Sequence, residues 1–313
     1  MHLPALVFVP LALAIGLTAC GSGDTGPSPG SAPNPTTAGV KVRVVATTTQ
    51  VDDFATVIGG DCVDVYGVLK PNVDPHDYEP SPADLDAMAR ADVIVKNGVD
   101  FEKWLDDTLA SSGADATVVD TSDGVTLRQG GEQDRGGDPH IWQNPQNAKI
   151  MVTGIERALA AAAPGCADEF AANLASYSTE LELLDHANET AINSLCNNKL
   201  VTNHDAFGYY VDRYGLDFVG SIIPSFDTSA ELSASAIAEL VTQIQAEDVK
   251  AIFSESSLPP KTADTIGREA GVQVVQGDDA LYGDTLGPAG SAGATYLGMM
   301  AHNTATIVAN LSC

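Results

Sequence analysis

One uninterrupted segment, residues 167–195, constrains the fold of this chain more than any other feature of the sequence. It contains neither Gly nor Pro, and apolar residues such as Phe170, Leu174 and Leu181 recur at helical spacing. A helix of about 28 residues, rising about 1.5 Å per residue, measures roughly 42 Å. A helix of that length is long enough to span two lobes and to hold them rigidly together.

Short runs of β-branched residues alternate with helical patterns on both sides of this helix. The predicted strands cover residues 42–49, 62–69, 92–96 and 117–121 before it, and 200–202, 217–223, 250–254 and 273–276 after it. The predicted helices between them include residues 82–90, 101–110, 233–246 and 261–270. Alternation of this kind favours an α/β fold with two lobes, residues 41–166 and 196–313, each with a mostly parallel sheet flanked by helices.

The charge balance narrows the classes of partner. The chain of 313 residues has 15 Lys and Arg against 42 Asp and Glu, which gives a formal net charge of −27. A field of that sign repels phosphate backbones. We therefore expect no nucleic-acid partner.

The N-terminal part of the chain predicts export and anchoring. Residues 3–19 are apolar but shorter than the roughly 20 residues of a membrane-spanning helix, which is typical of a signal peptide over residues 1–19. The Leu17–Cys20 sequence resembles a bacterial lipobox, which implies that Cys20 is acylated and becomes the first mature residue. Residues 21–39 contain 15 Gly, Pro, Ser or Thr and cannot bury a core, so residues 20–40 are predicted to be a lipidated tether at the outer face of the membrane.

Four further cysteines remain in a chain that we expect to be exported, namely Cys62, Cys166, Cys196 and Cys313. An even number in an oxidising compartment predicts two disulfides. Cys166 and Cys196 lie at opposite ends of the long helix, too far apart for the Cα separation of about 7 Å that a disulfide allows. In parallel α/β lobes a strand start and a helix end share one side. Cys62 begins a predicted strand and Cys166 follows a helix, so we predict the pair Cys62–Cys166. Cys196 precedes a predicted strand and Cys313 is expected to end one, so we predict the pair Cys196–Cys313.

Three of the six histidines lie in loops beside turn-forming residues. Asp-Pro-His occurs twice, ending at His76 and at His140, and His204 follows an apolar strand. Proline before histidine restricts the backbone and fixes the direction of the ring. Carboxyl ends of strands are where α/β proteins place their ligands. Histidines at equivalent loops of two lobes therefore indicate one metal site that the fold assembles.

Several motifs, in this order along the chain, resemble the metal-binding lipoproteins of ABC importers for zinc and manganese. They are DPHDYEPSP, DPHIWQNP, TNHDAFGYY, FSES, LYGDTLG and TYLGMMAHN, within a similarity that covers residues 42–312. The resemblance implies two α/β lobes joined by one long helix with the metal between them. It also implies the ligands His76, His140, His204 and Asp284.

Three imidazoles and one carboxylate make a tetrahedral nitrogen and oxygen site that suits Zn²⁺. Four protein ligands leave no position for an activated water, which favours binding over catalysis. In manganese-selective members of the family the third ligand is typically a carboxylate, so His204 favours zinc, with Mn²⁺ as the alternative. Glu255 is the expected carboxylate partner of a ligand histidine, fixing its tautomer.

The leading hypothesis is a monomeric, lipid-anchored receptor, not an enzyme, that captures Zn²⁺ and delivers it to an ABC permease with its ATPase subunit. A manganese receptor is the runner-up. A zinc hydrolase of the cell envelope is a rival from another class, and it requires an open coordination position and a base such as Asp205 or Glu255. An additional role as a cell-surface adhesin is compatible with transport and has no signature in the sequence.

Overall fold

The computed structural model of the protein describes residues 40–130, 136–230 and 233–312. The predicted signal peptide, Cys20 and Cys313 lie outside the described residues. In the described ranges no helix has both the length and the apolar character needed to cross a bilayer.

Two four-stranded parallel sheets form the frame of the molecule. The first contains β1 Val42–Ala46, β2 Val63–Gly67, β3 Val93–Lys96 and β4 Thr117–Asp120 in the order β2-β1-β3-β4. The second contains β5 Lys199–His204, β6 Asp217–Ile223, β7 Ala251–Phe253 and β8 Gln273–Val275 in the order β6-β5-β7-β8. Strand order and direction are the same in both, which confirms the prediction of two α/β lobes.

Helices flank both sheets. They are α1 Thr49–Gly59, α2 Pro82–Met88, α3 Leu105–Ser112, α4 Pro145–Ala162, α5 Ala167–Ile192, α6 Gly208–Tyr214, α7 Ala234–Ala246, α8 Lys261–Ala270 and α9 Tyr296–Leu311.

The first predicted strand extends too far, because Thr48 caps α1 instead of continuing β1. Its hydroxyl accepts a hydrogen bond from the backbone N–H of Val51 (3.3 Å), and a capped helix end outweighs the strand preference of three consecutive threonines.

The long helix α5 has 26 residues and a length of about 39 Å. It ends before residue 195 because the N–H groups of Ser194 and Leu195 bond to carbonyls three residues back, in a tight final turn. Phe170, Tyr177 and Leu181 on its inner face belong to one apolar core with residues of both lobes. The helix therefore joins the lobes through a shared core.

The C-terminal helix α9 reinforces this connection. The Tyr296 ring packs edge-on against Phe54 of α1 with 4.8 Å between centroids, its hydroxyl donates to the Trp142 carbonyl, and its backbone N–H donates to Asp53. Helix α9 extends to Leu311, and the apolar residues from Ile307 to Leu311 continue its helical face. The predicted position of Cys313 at the end of an element falls outside the described residues and stays a prediction.

A disulfide joins Cys62 to Cys166, with 6.5 Å between their Cα atoms. It connects the turn before β2 to the turn before α5, so it fixes the base of the first lobe to the start of the long helix. The second predicted pair includes Cys313, which is not described, and stays a prediction.

Candidate metal site

Four residues far apart in the sequence meet where the lobes face each other. His76 lies in the loop after β2, His140 in the loop after β4, His204 at the end of β5, and Asp284 in the segment after β8. Each lies at or beyond the carboxyl end of a strand. Because parallel strands present these ends at one edge of a sheet, two sheets facing each other bring all four side chains together.

The distances among the four side chains are those of a compact cluster. The Nε2 atoms of His76, His140 and His204 lie 3.4, 3.3 and 3.2 Å from the nearest oxygen of Asp284. The Nε2 atoms of His140 and His204 are 3.4 Å apart. Ligands held about 2.0–2.2 Å from one centre in a tetrahedron are separated by about 3.3–3.6 Å. The cluster thus has the dimensions of a tetrahedral metal site.

The cluster is closed to solvent. The side chain of His76 is 3% exposed, and those of the other three residues are 0% exposed. Among the described residues, His76 Nε2 and both carboxylate oxygens of Asp284 have no hydrogen-bond partner. Buried polar atoms without partners are costly, and here they point at a common centre.

The charges of the metal-free cluster are strongly coupled. Burial alone would raise the pKa of Asp284, but the three imidazoles hold it well below the usual aspartate range. Burial lowers the pKa of His140, yet Asp138 and Asp284 more than offset that effect and raise it to about 9. Asp284 and Glu255 likewise raise the pKa of His204 well above its ordinary value. The cluster therefore binds protons when it binds no metal, and a cation must displace them.

Each Asp-Pro-His motif folds back on its own histidine. The Asp138 Oδ1 atom accepts the backbone N–H of His140 (3.0 Å) and faces its ring Nδ1 at 2.8 Å. The Asp74 Oδ1 atom accepts the backbone N–H of His76 (3.0 Å). Neither aspartate was predicted to have this role, although a carboxylate two residues before each histidine is a sequence signal for such a turn.

Glu255 performs the corresponding task for His204. Its Oε1 atom accepts the backbone N–H of His204 (3.0 Å) and lies 2.9 Å from the ring Nδ1. With the proton on Nδ1, the Nε2 lone pair of His204 faces the centre of the cluster. Asp205, the other carboxylate considered for this region, is not one of the residues that the described structure brings into the cluster.

The segment that carries Asp284 is held by the first lobe. The Gln50 side chain donates to the Asp284 carbonyl (2.9 Å), while the Trp142 indole and the Gln143 amide both donate to the Gly283 carbonyl (3.1 and 3.0 Å). These contacts fix a carboxylate of the second lobe against the histidines of the first. None of the three donors could be assigned this task from sequence pattern alone.

Aromatic rings and a small cavity surround the cluster. Phe101 packs edge-on against His76 (5.0 Å between centroids) and Trp142 against His140 (5.4 Å). A cavity of about 190 Å³ lies beside His76, lined also by Phe226 and Asp227. Lys103 of the first lobe pairs with Asp227 of the second at this point.

Comparisons with known proteins agree with this geometry. The sequence model of the family described as ZnuA, zinc-uptake complex component A periplasmic, matches residues 44–310. The manganese-binding lipoprotein MntA of Bacillus subtilis is 32% identical over 299 residues, covering 93% of this chain and 94% of that protein. The iron ABC transporter substrate-binding lipoprotein MtsA of Streptococcus pyogenes serotype M1 is 28% identical over 273 residues, covering 84% and 86%.

Among solved structures, the periplasmic zinc binding protein TroA from Treponema pallidum superposes with a TM-score of 0.80 at 30% identity, covering 87% of this chain and 100% of that one. The three similar proteins are named for three different metals, so the similarity gives the class of protein but does not select the metal.

Proposed function

We propose a zinc-receptor function on the premise that this chain belongs to the ZnuA family, whose members are solute-binding components of metal ABC importers. The protein captures Zn²⁺ outside the cytoplasmic membrane and delivers it to a permease that a separate ATPase drives. His76, His140, His204 and Asp284 are the ligands of this cargo ion.

The observation that carries the proposal is the buried set of three imidazole nitrogens and one carboxylate with unpartnered atoms facing one centre. Such a donor set at tetrahedral spacing suits Zn²⁺. Four protein ligands complete the coordination of zinc and leave no place for an activated water. The site is therefore built to hold an ion rather than to catalyse a reaction.

Manganese is the second candidate, and the carboxylate of Asp284 is the reason. Its Oδ1 atom faces His140 while its Oδ2 atom faces His76 and His204. If both oxygens bind the ion, the protein supplies five ligands, and Mn²⁺ accepts that higher number more readily than Zn²⁺. Three nitrogen ligands still favour zinc, because imidazole suits Zn²⁺ better than the harder Mn²⁺.

Calorimetric titration of metal-free protein with Zn²⁺ and with Mn²⁺ tests this proposal. We expect one tight zinc site, much weaker manganese binding, and loss of zinc binding in His204→Ala and Asp284→Ala. His186→Ala is the matched control, because His186 lies on α5 with its side chain 81% exposed. Tighter binding of manganese than zinc would establish the second candidate. Unchanged zinc affinity in Asp284→Ala would contradict the closed four-ligand site.

We also propose that acylated Cys20 anchors the mature protein as a monomer at the outer face of the membrane. The lipobox-like sequence and the two relatives named lipoproteins support this location. Mass spectrometry of the membrane fraction should find a lipid-modified N-terminal Cys20, and Cys20→Ser should move the protein into the soluble fraction. A Cys20→Ser protein that stays in the membrane fraction would contradict the anchor.

A further inference from the structure

Arg128 forms a connection between the lobes that the proposed metal ligands do not require. It lies in the loop after β4, and its Nε atom donates to Asp212 on α6 of the second lobe (2.7 Å). Its Nη1 atom donates to Asp138 in the first lobe (2.5 Å). Its backbone N–H donates to the hydroxyl of Tyr209, over whose ring the guanidinium lies at 5.7 Å from the centroid.

Asp138 transmits this connection to the metal site. Its carboxylate is completely buried, with Oδ2 on Arg128 and Oδ1 on the backbone and ring of His140. The side chains of His140, Asp138, Arg128 and Asp212 thus form a continuous chain of hydrogen bonds from a proposed ligand to a helix of the other lobe. A buried carboxylate that loses its cationic partner keeps an uncompensated charge, so Asp138 depends on Arg128 to hold its orientation.

The start of α6 is shaped to receive this guanidinium. A Cβ atom built at Gly208 would lie 1.5 Å from Arg128 Nη1 and 2.2 Å from Cζ. Any residue other than glycine would therefore displace the arginine. The absence of a side chain at position 208 is thus a condition for the contact between the two lobes.

We infer that Arg128 is a positioning residue of the metal site, which couples docking of its loop on α6 to the orientation of the His140 ring. This inference rests on the proposed function. With the loop docked, Asp138 holds Nδ1 of His140 and turns Nε2 toward the other ligands. With the loop undocked, His140 loses this restraint and the bound ion dissociates faster.

The test compares Arg128→Ala with Arg213→Ala. Arg213 is a matched control because it also pairs with two carboxylates, Asp185 and Glu189, and lies over a tyrosine ring, but it contacts none of the proposed ligands. Zinc affinity, the zinc dissociation rate into excess chelator, and the visible spectrum of the Co²⁺-substituted protein are measured for both. Urea unfolding of the metal-free forms separates effects on stability from effects on the site.

We expect Arg128→Ala to raise the zinc Kd about 10- to 100-fold, mainly through faster dissociation, and to change the Co²⁺ spectrum. Arg128→Lys should restore part of the zinc affinity, because lysine supplies the positive charge but lacks the planar guanidinium that donates to both Asp138 and Asp212. Gly208→Val should reproduce the effect with the arginine intact. Arg213→Ala should change the free energy of unfolding but should change neither the zinc dissociation rate nor the Co²⁺ spectrum.

If the unaltered protein binds zinc while Arg128→Ala and Gly208→Val match Arg213→Ala in dissociation rate and spectrum, Arg128 is only structural and the inference is wrong. If the unaltered protein binds neither Zn²⁺ nor Mn²⁺, the proposed function fails instead. The two failures are therefore distinct.

Discussion

The two Asp-Pro-His motifs use the same three residues in different ways. Asp138 restrains both the backbone and the ring of His140. Asp74 restrains only the backbone of His76, and its second oxygen accepts the hydroxyl of Thr228 from the other lobe (2.8 Å). Phe101 packs against the His76 ring, and the aspartate of the motif does not restrain that ring as Asp138 restrains the ring of His140. Of the three imidazoles, that of His76 is expected to reorient most readily.

At this scale the histidines and their partner Glu255 could be predicted, and Asp284 and Arg128 could not be predicted from spacing. Residue type and loop context single out His76, His140 and His204, whereas Asp284 competes with 41 other acidic residues and was chosen only through family resemblance. Asp138 acts locally, so its role was open to prediction. Arg128 acts on residues that only the folded chain brings near, and no spacing in the sequence indicates this.

Glu255→Gln should weaken zinc binding about 10- to 100-fold, because a neutral amide accepts the Nδ1–H of His204 less strongly than a carboxylate. Competition with a chromogenic chelator measures the change. Glu182→Gln serves as the control, since that side chain is 60% exposed and pairs with Lys149, and neither residue belongs to the cluster. Equal affinities in the two variants would show that Glu255 does not orient the ligand.

The stability of the metal-free protein should fall as pH rises from about 6.5 to about 9. Asp138 and Asp284 raise the pKa of His140 from 6.5 in the unfolded chain to about 9 in the folded one, despite burial. A raised pKa contributes stability that is complete below the unfolded value and disappears as pH passes the folded value. Zinc affinity should increase over the same range, since the ion displaces fewer protons.

Urea unfolding at several pH values, with and without zinc, checks this dependence. His140→Gln should show a smaller loss of metal-free stability between pH 6.5 and 9 than the unaltered protein. A metal-free stability that stays level or rises across that range would contradict the proton-holding cluster.

At the scale of elements, the predicted bounds are right where one residue pattern dominates. They are wrong where side-chain hydrogen bonds determine where an element begins. Helix α8 and strand β6 have the predicted bounds. Helix α3 begins at Leu105 rather than at residue 101, because Glu102 holds the preceding turn. Its buried carboxylate accepts the backbone N–H groups of Asn97 and Gly98 and the hydroxyl of Thr47. Sequence periodicity does not reveal such a set of hydrogen bonds to one buried carboxylate.

Removal of the Cys62–Cys166 bond by Cys62→Ser with Cys166→Ser should lower the free energy of unfolding by about 2–4 kcal/mol. The bond closes a loop with a sequence separation of 104, and such a loop gains much freedom in the unfolded chain when it opens. Denaturant unfolding measures the difference.

Thiol titration in denaturant tests the Cys196–Cys313 pair, because any free thiol in the mature, non-reduced protein would contradict two disulfides.

For the whole molecule, the shared core predicts that the lobes move little when metal binds. Helices α5 and α9 both pack into that core, and the Asp284 segment is hydrogen-bonded to the first lobe. We expect spin labels on the two lobes to keep their separation on zinc loading, with changes confined to loops near the site. A large rotation of one lobe, seen in distances between labels, would contradict this expectation.

The four proposed ligands are spread along the chain from His76 to Asp284. During synthesis the ribosome therefore completes the first three long before the fourth, and no truncated product that ends before residue 284 carries the whole set. A chain that has not finished folding has nowhere to hold the ion. Retention of the ion by all four proposed ligands therefore requires an intact, folded polypeptide.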